Sequence, residues 1–433
     1  MRAATAGQRG TATAAPPRLG PIEFTALLAM SMALAALGID LLLPAFGQIR
    51  SDLGLPSDST AVAGLVTTYF LGLAVGQLFY GPISDRYGRK PLMYTGFAVY
   101  GIGALATALA PTLPLLLAGR FLWGLGAAGP RSITLAIVRD RYDGEEMSRA
   151  MSLIMAVFIL VPVIAPSIGA IGIGLGSWRW LFVACAITAV ALTLWTRRMV
   201  ESLAPENRRE LRLSGLADAA RIVMRNRLTV GYTLAMTAMY GGFTSYIGSS
   251  EIIFGEVFGA ADGFPIYFGA LAAVMGAAML LNSRIVVRIG SRRLSHAVLL
   301  AYIAASGLLL VLSLIGGGRP SLPVFLVLMG ITLASHALAI PNFNALAMGP
   351  MGRVAGMASS LIGTVQVAVG ALLGTVLDQA FDGTTVPISV GFLFFGVLAL
   401  VAARWADAGG RRVRRDARTR GHDTMAPADG ATA

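Results

Sequence analysis

The chain has 433 residues, of which 56% are hydrophobic and only 13% are charged, and its mean hydropathy is +0.72. A soluble domain usually carries about 25% charged residues and about 7% glycine, whereas this chain contains 52 glycines. Small residues allow helices to approach one another closely in a bilayer. The composition therefore excludes an ordinary soluble domain and indicates a protein with several membrane-spanning helices.

The cysteine and histidine content limits the chemistry that the chain can perform. Its single cysteine, Cys185, excludes a disulfide framework and a cysteine metal site. The three histidines, His296, His336 and His422, are scattered without the spacing of metal ligands. We therefore expect neither a metal ion nor another cofactor.

Twelve apolar segments follow one another along the chain. Each is long enough to cross a hydrocarbon core of about 30 Å, which requires about 20 residues. They lie near residues 22–46, 60–81, 91–110, 113–138, 147–172, 179–199, 228–250, 264–287, 294–316, 322–347, 354–379 and 385–403. We number them spans 1 to 12, and they predict an all-α membrane protein with twelve transmembrane helices.

A longer polar segment divides the spans into two groups of six. The predicted organisation is an N-terminal six-helix bundle over 22–199, a linker over 200–227 and a C-terminal six-helix bundle over 228–405. The tails 1–21 and 406–433 are polar and rich in small residues or arginine, so we predict that they are disordered. A signal peptide is the alternative for the N-terminal tail, but no small-residue cleavage site ends the apolar run that follows.

The basic residues fall mainly on one side of the predicted spans. With the N-terminus placed in the cytoplasm, 29 of the 34 Lys and Arg residues lie on the cytoplasmic side. Three lie on the outer side (Arg50, Arg179 and Arg319), and two lie inside span 4 (Arg120 and Arg131). This positive-inside distribution predicts that both termini are cytoplasmic, so the basic net charge requires no nucleic-acid partner.

Two short motifs recur in the second group of spans. DRYGRK (Asp85–Lys90) after span 2 corresponds to VRIGSR (Val287–Arg292) after span 8, at an offset of 202 residues. MSL (Met151–Leu153) in span 5 corresponds to SSL (Ser359–Leu361) in span 11, at an offset of 208. The similar offsets predict two six-helix repeats in parallel orientation, an arrangement used by alternating-access transporters.

The segment GQLFYGPISDRYGRKP (Gly76–Pro91) joins span 2 to span 3 on the basic side. Its glycines permit a tight turn, its aspartate can accept hydrogen bonds from helix-end amides or an arginine, and its basic residues can bind carbonyl ends or lipid phosphates. A turn with basic anchors is the simpler interpretation, but it does not explain the Asp–Gly–Arg spacing. The candidate residues are Gly81, Asp85, Arg86, Gly88 and Arg89.

This segment resembles the loop between helices 2 and 3 of the major facilitator superfamily, which carries Gly…Asp-Arg-x-Gly-Arg-Arg/Lys. The resemblance implies that Asp85, Arg86, Gly88 and Arg89 lock a cytoplasmic gate. Span 4, GRFLWGLGAAGPRSITLAIVRD (Gly119–Asp140), is similar to the Arg-x3-Gly-x-Gly motif of the drug:proton antiporters. The two glycines of that motif are Gly124 and Gly126.

Span 5 contains VPVIAPSIGA (Val161–Ala170), which together with GIDLLLPA in span 1 resembles the bicyclomycin/chloramphenicol-resistance (Bcr/CflA) branch. The antiporter pattern in this span usually reads Gly-Pro-x-x-Gly-Gly, and alanine replaces its first and last glycine here. Pro162 and Pro166 remove backbone donors and are predicted to kink the helix, either as a rocking element or as a packing kink without mechanism. With Gly169 they are the candidate antiporter residues of span 5.

Asp40 is a carboxylate inside the apolar run ALAALGIDLLLPAF (Ala33–Phe46). A charge at the centre of a transmembrane helix costs roughly 2.5–3.5 kcal/mol, so it normally faces a cavity or a partner. From the rise of 1.5 Å per residue, Asp40 and Arg120 both lie about 10 Å from the outer surface. The two side chains can therefore pair or share one water-filled cavity.

Burial and a nearby arginine act in opposite senses on the protonation of Asp40, which makes it a candidate proton carrier. The resemblance implies roles in coupling and substrate binding for Asp40 and Arg120, and a structural ion pair is the alternative. Arg131, deeper in span 4, either faces the cavity or bonds the carbonyls of a neighbouring helix. Glu251 and Asp378 are interpreted as outer-surface charges, with a second carboxylate in the transport path as the alternative.

Aromatic and methionine side chains could line an apolar pocket that accepts varied drugs. For each of them alone, helix packing or lipid contact is the favoured interpretation. The residues are Tyr69, Phe70, Trp123, Met155, Tyr240, Phe243 and Tyr246.

The sequence predicts a proton-coupled multidrug efflux antiporter that exports small amphipathic compounds by alternating access. The alternative is a proton symporter or facilitator for a small metabolite. An enzyme is disfavoured because no zinc-protease, serine-hydrolase or nucleotide-binding motif is present. The predicted partners are a drug-like molecule, protons and the lipid bilayer, and twelve helices need no second copy to enclose a site. The resemblance implies a bacterial cytoplasmic (inner) membrane.

Overall fold

The computed structural model describes residues 19–208 and 213–423. The predicted disordered tails fall outside these residues at 1–18 and at 424–433. Over 406–423, where the sequence predicted disorder, the structure instead continues the last helix to Asp423. Arginine and alanine are good helix formers, and their frequency here is consistent with a helix that extends beyond its apolar part.

Fourteen α-helices, joined by turns and short 3-10 or π-helical segments, account for the described residues, which contain no β-strand. In chain order the helices are α1 (Pro21–Asp40), α2 (Phe46–Asp52), α3 (Gly64–Tyr87), α4 (Arg89–Leu109), α5 (Leu113–Arg141), α6 (Gly144–Gly174), α7 (Arg179–Thr196), α8 (Leu213–Arg225), α9 (Arg227–Ile252), α10 (Phe264–Ile289), α11 (Ser291–Ile315), α12 (Leu322–Met348), α13 (Ala355–Gln379) and α14 (Val386–Asp423). The twelve long helices match the twelve predicted spans, and α8 lies within the predicted linker.

Eleven of the helices are long and apolar enough to cross a membrane, and α9 is not among them. It has the length, 26 residues, but it carries four threonines, three serines and four glycines. Most of these side chains are buried, because α9 packs against α12, α13 and α14. A helix enclosed by protein needs less hydropathy than one that faces lipid, which explains the weak signal at span 7.

Helix pairs recur in the same pattern in the two halves, α1–α7 and α9–α14. In the first half α3 and α4 pack against α5, α1 against α6, and α4 against α7. In the second half α10 and α11 pack against α12, α9 against α13, and α11 against α14. The second half thus repeats the first in parallel orientation, which confirms the predicted fold class.

The turns after α3 and α10 confirm the alignment of the repeats in detail. Gly88 and Gly290 have φ values of 105° and 83°, which are accessible to glycine without steric cost. Each ends its helix with a backbone hydrogen bond, from Gly88 N to Ser84 O and from Gly290 N to Val286 O. These are the two glycines that the offset of 202 residues aligned.

The two halves meet along the helix pairs α3–α13 and α6–α10. We call the α3–α13 contact the seam. The hydroxyls of Thr67 and Thr375 are 2.7 Å apart across it, and Ser360 Oγ donates to the carbonyl of Gln77 at 2.6 Å. Interfaces between domains that rest on such polar contacts commonly allow relative movement.

Glycines set the spacing between α3, α4 and α5. A Cβ at Gly124 would overlap the carbonyl oxygen of Tyr69, and a Cβ at Gly126 would overlap the backbone of Tyr100. The glycines of the span 4 motif therefore allow close helix contact. Gly81, by contrast, has no heavy atom within 4 Å of the position of a Cβ.

We expect Gly124→Val to destabilise the protein, because the valine would collide with the backbone of α3 at Tyr69. α3 cannot move away without losing its packing against α5. Overpacking a close-packed core typically costs about 1–3 kcal/mol, so thermal unfolding of the purified protein in detergent should shift down by several degrees. Gly81→Ala is the control and should leave the unfolding temperature unchanged. Equal unfolding temperatures for the two variants would contradict this assignment of Gly124.

Candidate functional site

The two ends of the bundle differ in charge. The α3–α4 and α10–α11 turns lie at the end that carries most of the arginines, which we call the basic end. The α1–α3 and α9–α10 connections lie at the opposite end.

Asp40 is the last residue of α1, near the opposite end. It is 5% exposed, and none of the ion pairs among the described residues includes it. The turn Leu43–Ala45, which follows Asp40 closely, packs against α9. Because α9 belongs to the second half, Asp40 lies near the boundary between the halves.

Arg120 is fully buried on α5 and is held by backbone and aromatic groups. Its Nη1 donates to the carbonyl of Gly38 on α1 at 2.7 Å, and its Nε donates to the carbonyl of Leu65 on α3 at 3.0 Å. The guanidinium also lies over the rings of Tyr69 and Trp123, 4.5 and 4.8 Å from their centroids. Such cation–π contacts are worth about 2 kcal/mol or more when desolvated.

The structure brings Arg120 and Asp40 to the same region of α1 but does not pair them. Gly38, whose carbonyl Arg120 binds, lies two residues before Asp40. The sequence predicted that both side chains lie at the same depth in the membrane, and in the structure both lie near the end of α1. The ion pair that this depth allowed is absent from the described residues, where two carbonyls and two aromatic rings bind the guanidinium instead.

Arg131 follows the helix-internal Pro130 on α5 and is partly exposed. Within the described part of the chain it makes no hydrogen bond or ion pair, so the structure shows no bond from Arg131 to the carbonyls of a neighbouring helix. That Arg131 faces the cavity stays a prediction.

Four side chains form an aromatic patch where the halves meet: Phe70, Tyr240, Phe243 and His336. The ring centroids of Phe70 on α3 and Tyr240 on α9 are 5.7 Å apart, and Phe243 stacks on His336 of α12 at 4.8 Å. His336 is 5% exposed, and its Nδ1 has no hydrogen-bond partner among the described residues. Sequence reasoning did not select His336, although a histidine in the middle of span 10 was a usable signal.

The candidate residues of span 5 lie where α6 meets α1. A Cβ at Gly169 would overlap the carbonyl of Leu41 and lie 3.3 Å from Pro44 Cγ. Pro162 and Pro166 lie within the continuous helix α6, the second of them buried. Because α6 also packs against α10 of the second half, these residues connect the end of α1 to the boundary between the halves.

Arg89 organises the basic end. Its Nε donates to Asp140 Oδ2 at 2.8 Å, and its Nη1 donates to Asp85 Oδ1 and Ser84 Oγ, both at 2.6 Å. Glu201, which follows α7, accepts the backbone N–H groups of Arg89 and Lys90 at the start of α4. A carboxylate at a helix N-terminus is stabilised by the unpaired amides and the helix dipole.

The motif residues do not all take part in this network. A Cβ at Gly88 would lie 2.6 Å from Glu201 Oε2, so the glycine admits the capping carboxylate. A Cβ at Gly81 would meet no heavy atom within 4 Å, and its carbonyl accepts from Ser84 Oγ at 2.8 Å. The exposed Arg86 lies over the ring of Tyr87. Asp140 and Glu201 were not predicted, because they reach Arg89 from positions 51 and 112 residues away.

A corresponding network lies at the basic end of the second half. Asp407 on α14 is buried, accepts a hydrogen bond from Tyr232 Oη at 2.9 Å and forms an ion pair with Arg292 Nε at 3.0 Å. His296 Nε2 lies 2.8 Å from its other oxygen. The two halves therefore share an arrangement. Glu201 follows α7 and binds the start of α4, and Asp407, where α14 reaches the basic end, binds the first turns of α11.

The structure corrects the interpretation of Glu251 and Asp378 as surface charges. Glu251 forms an ion pair with Arg50 at 2.6 Å that joins the two halves at the opposite end, with side chains 16% and 6% exposed. Asp378 is 4% exposed and accepts from the hydroxyls of Ser245 and Ser249. Position near a predicted helix end did not reveal that Arg50 of the first half covers Glu251 or that α9 covers Asp378.

The Arg50–Glu251 pair is expected to hold the opposite end closed. Breaking a mostly buried pair leaves an uncompensated charge, so Glu251→Gln should favour opening by at least about 1.4 kcal/mol, which is about tenfold. Thiol labelling of Thr67→Cys should then be about ten times faster, against a background in which the natural Cys185 is buried. Glu256→Gln is the control. Equal labelling rates in the Glu251→Gln and Glu256→Gln variants would show that the Arg50–Glu251 pair does not hold this end closed.

Two parallel six-helix halves, with buried charges where they meet, define a membrane transport protein. The chain belongs to the Major Facilitator Superfamily, whose family model matches residues 28–375. A bicyclomycin resistance protein homolog of Haemophilus influenzae is 30% identical over 373 residues, covering 84% of this chain and 91% of that protein. Multidrug resistance protein MdtL of Escherichia coli is 28% identical over 340 residues, covering 77% and 83%.

Solved structures share the fold at lower identity. A D-xylose-proton symporter superposes with a TM-score of 0.69 at 14% identity, covering 88% of this chain and 97% of that chain. The human organic anion transporter MFSD10 superposes with a TM-score of 0.65 at 20% identity, covering 89% and 100%. Because the chain belongs to the Major Facilitator Superfamily, the protein is a transporter and not an enzyme, and its resemblance to the Bcr branch is confirmed by the bicyclomycin resistance homolog.

Proposed function

We propose that the protein is a proton-coupled antiporter that exports small amphipathic, drug-like compounds by alternating access. The observation that carries the proposal is Asp40, a buried carboxylate near the boundary of the halves with no ion-pair partner in the described chain. The relatives named for bicyclomycin resistance and multidrug resistance support drug-like compounds as the substrate class.

Asp40 exchanges a proton for the substrate. In the inward-facing state the ionised carboxylate favours loading of the substrate, and in the outward-facing state protonation favours its release. Protonation also removes a buried charge that would otherwise cost free energy. Each proton that moves inward through 100 mV supplies about 2.3 kcal/mol, which drives export of the substrate against its gradient.

The substrate lies between the halves, against the aromatic patch. Aromatic faces accept apolar and planar groups of varied shape, and the partly exposed Arg131 on α5 adds a positive charge. The unpartnered Nδ1 of His336 offers a hydrogen-bonding group to a polar part of the substrate. Arg120 acts through position, because it ties the Asp40 end of α1 to α3 and α5.

The protein works as a monomer in a bacterial inner membrane, with the basic end and both termini in the cytoplasm. The excess of arginine at that end supports the orientation, and the curated relatives from Haemophilus and Escherichia support the bacterial setting. The network around Arg89 then belongs to the cytoplasmic gate, and the Arg50–Glu251 pair belongs to the outer one.

Efflux from bacterial cells with low intrinsic drug export tests this function. Cells that express the protein should accumulate several times less ethidium and chloramphenicol than vector controls, and a proton uncoupler should abolish the difference. A symporter would respond oppositely, because the uncoupler would lower accumulation. Lack of export for every compound of a wider cationic and neutral panel would contradict the drug antiporter and favour a metabolite transporter.

A further inference from the structure

Asp378 is a second buried carboxylate, which the exchange at Asp40 does not use. It lies on α13 in the second half, and its Oδ1 accepts hydrogen bonds from Ser245 Oγ and Ser249 Oγ, both at 2.6 Å. No ion pair of the described residues includes it, and their hydrogen bonds leave its Oδ2 without a donor. Two neutral hydroxyl groups are therefore all that stabilises its charge. Such an environment suits a carboxylate that gains and loses a proton.

The free oxygen of Asp378 lies beside the seam. A Cβ at Gly248 of α9 would lie 2.8 Å from Asp378 Oδ2 and 3.1 Å from Ala63 Cβ. Ala63, from the first half, and the carboxylate therefore cover the same side of α9. One turn away on each helix, Thr67 and Thr375 hydrogen-bond across the seam. Separation of the halves at this end would remove Ala63 and admit water to Oδ2.

The chain that follows Asp40 also packs against α9. Ser245 and Ser249 of α9 bind Asp378, and the turn Leu43–Ala45, just after Asp40, contacts the same helix. α9 is therefore in contact with the carboxylate of one half and with the segment next to the carboxylate of the other, at the end of the bundle that Arg50 and Glu251 close.

We propose that Asp378 is a second proton-binding site, so that two protons enter for each molecule exported. This inference rests on the proposed antiport. In the outward-open state each carboxylate takes one proton from outside, and in the inward-open state each releases it to the cytoplasm, while one substrate leaves. Exchange of two protons for one monovalent cation moves one net positive charge inward, whereas exchange of one proton moves none.

The charge balance gives a direct test with the purified protein in liposomes and ethidium, a monovalent cation, as the probe. One arm imposes a membrane potential at equal pH, and the other imposes a pH gradient at zero potential. In the wild type both should drive ethidium transport, and the potential should support a gradient of about tenfold per about 59 mV. Protein-free liposomes correct for leak, which runs in the direction opposite to the driven transport.

Asp378→Asn should keep transport driven by the pH gradient and lose transport driven by the potential, because asparagine still accepts from the serines but binds no proton. Asp262→Asn, at an exposed aspartate of the α9–α10 connection, is the matched control and should keep both. If the membrane potential does not drive transport by the wild-type protein, the inference is overturned without any variant. It is also overturned if the potential still drives transport by the Asp378→Asn protein. Wild-type transport driven by neither gradient would instead contradict the antiport itself.

Discussion

Asp40→Asn is expected to abolish proton-driven export while leaving the protein folded in the membrane. Asparagine has nearly the same size and polarity, and Asp40 has no ion-pair partner among the described residues to lose. Uncoupler-sensitive efflux of ethidium should fall by at least about tenfold, since an asparagine takes up no proton in exchange for substrate. Movement down the substrate gradient should persist in liposomes without a proton gradient.

Two comparisons make this result specific to Asp40. Asp58→Asn changes an exposed aspartate in the connection after α2 and should export at the wild-type rate, at equal amounts of protein in the membrane. In the Asp40→Asn variant, Asp378 does not take over the role of Asp40. Without proton exchange at Asp40, a proton bound to Asp378 can cross the membrane and return while no substrate moves. An Asp40→Asn protein that kept proton-driven export would show that Asp40 is structural and would leave Asp378 as the coupling acid.

Arg120→Gln is expected to reduce both stability and export, and Asp40→Asn should not rescue it. The variant loses hydrogen bonds from a buried charged donor, at about 1.5–3 kcal/mol each, together with the contacts to Tyr69 and Trp123. A loss of about 3 kcal/mol or more should lower the unfolding temperature by several degrees. Arg319→Gln, at an exposed arginine of the α11–α12 connection, is the control.

The double variant Arg120→Gln/Asp40→Asn distinguishes two roles of Arg120. In one, which we call the backbone clamp, Arg120 binds backbone carbonyls; in the other it forms an ion pair with Asp40. If Arg120 neutralised Asp40, removal of both charges would relieve the unpaired group and restore stability. Because Arg120 binds the carbonyls of Gly38 and Leu65 instead, the double variant should be at least as unstable as Arg120→Gln. Recovery of the unfolding temperature in the double variant would contradict the clamp.

The two carboxylates give the halves different tasks in the proposed cycle. Asp40 lies near the boundary of the halves, where a substrate that binds between them competes with its proton. Asp378 lies at the seam under Ala63, where opening rather than substrate decides its access to water. The Arg50–Glu251 pair joins the halves at the same end, so one movement of the halves would break the pair and expose the carboxylate.

The sequence by itself determined the features that are local along the chain. Hydropathy predicted twelve long helices, because each span must be apolar over its own length. The offset of 202 residues aligned Gly88 with Gly290, because a positive φ at a helix end favours glycine whatever surrounds it. The rise per residue placed Asp40 and Arg120 at one depth, since depth depends only on position within a helix.

Only the tertiary structure decided which groups meet at a given depth. Arg120 binds backbone carbonyls rather than Asp40, Glu201 caps α4 from 112 residues away, and Asp378 is buried by serines 129 and 133 residues before it. α9 was the least apolar span because the rest of the bundle surrounds it. Rotation about a helix axis and the choice of neighbouring helix depend on packing between distant segments, and the local sequence pattern carries neither.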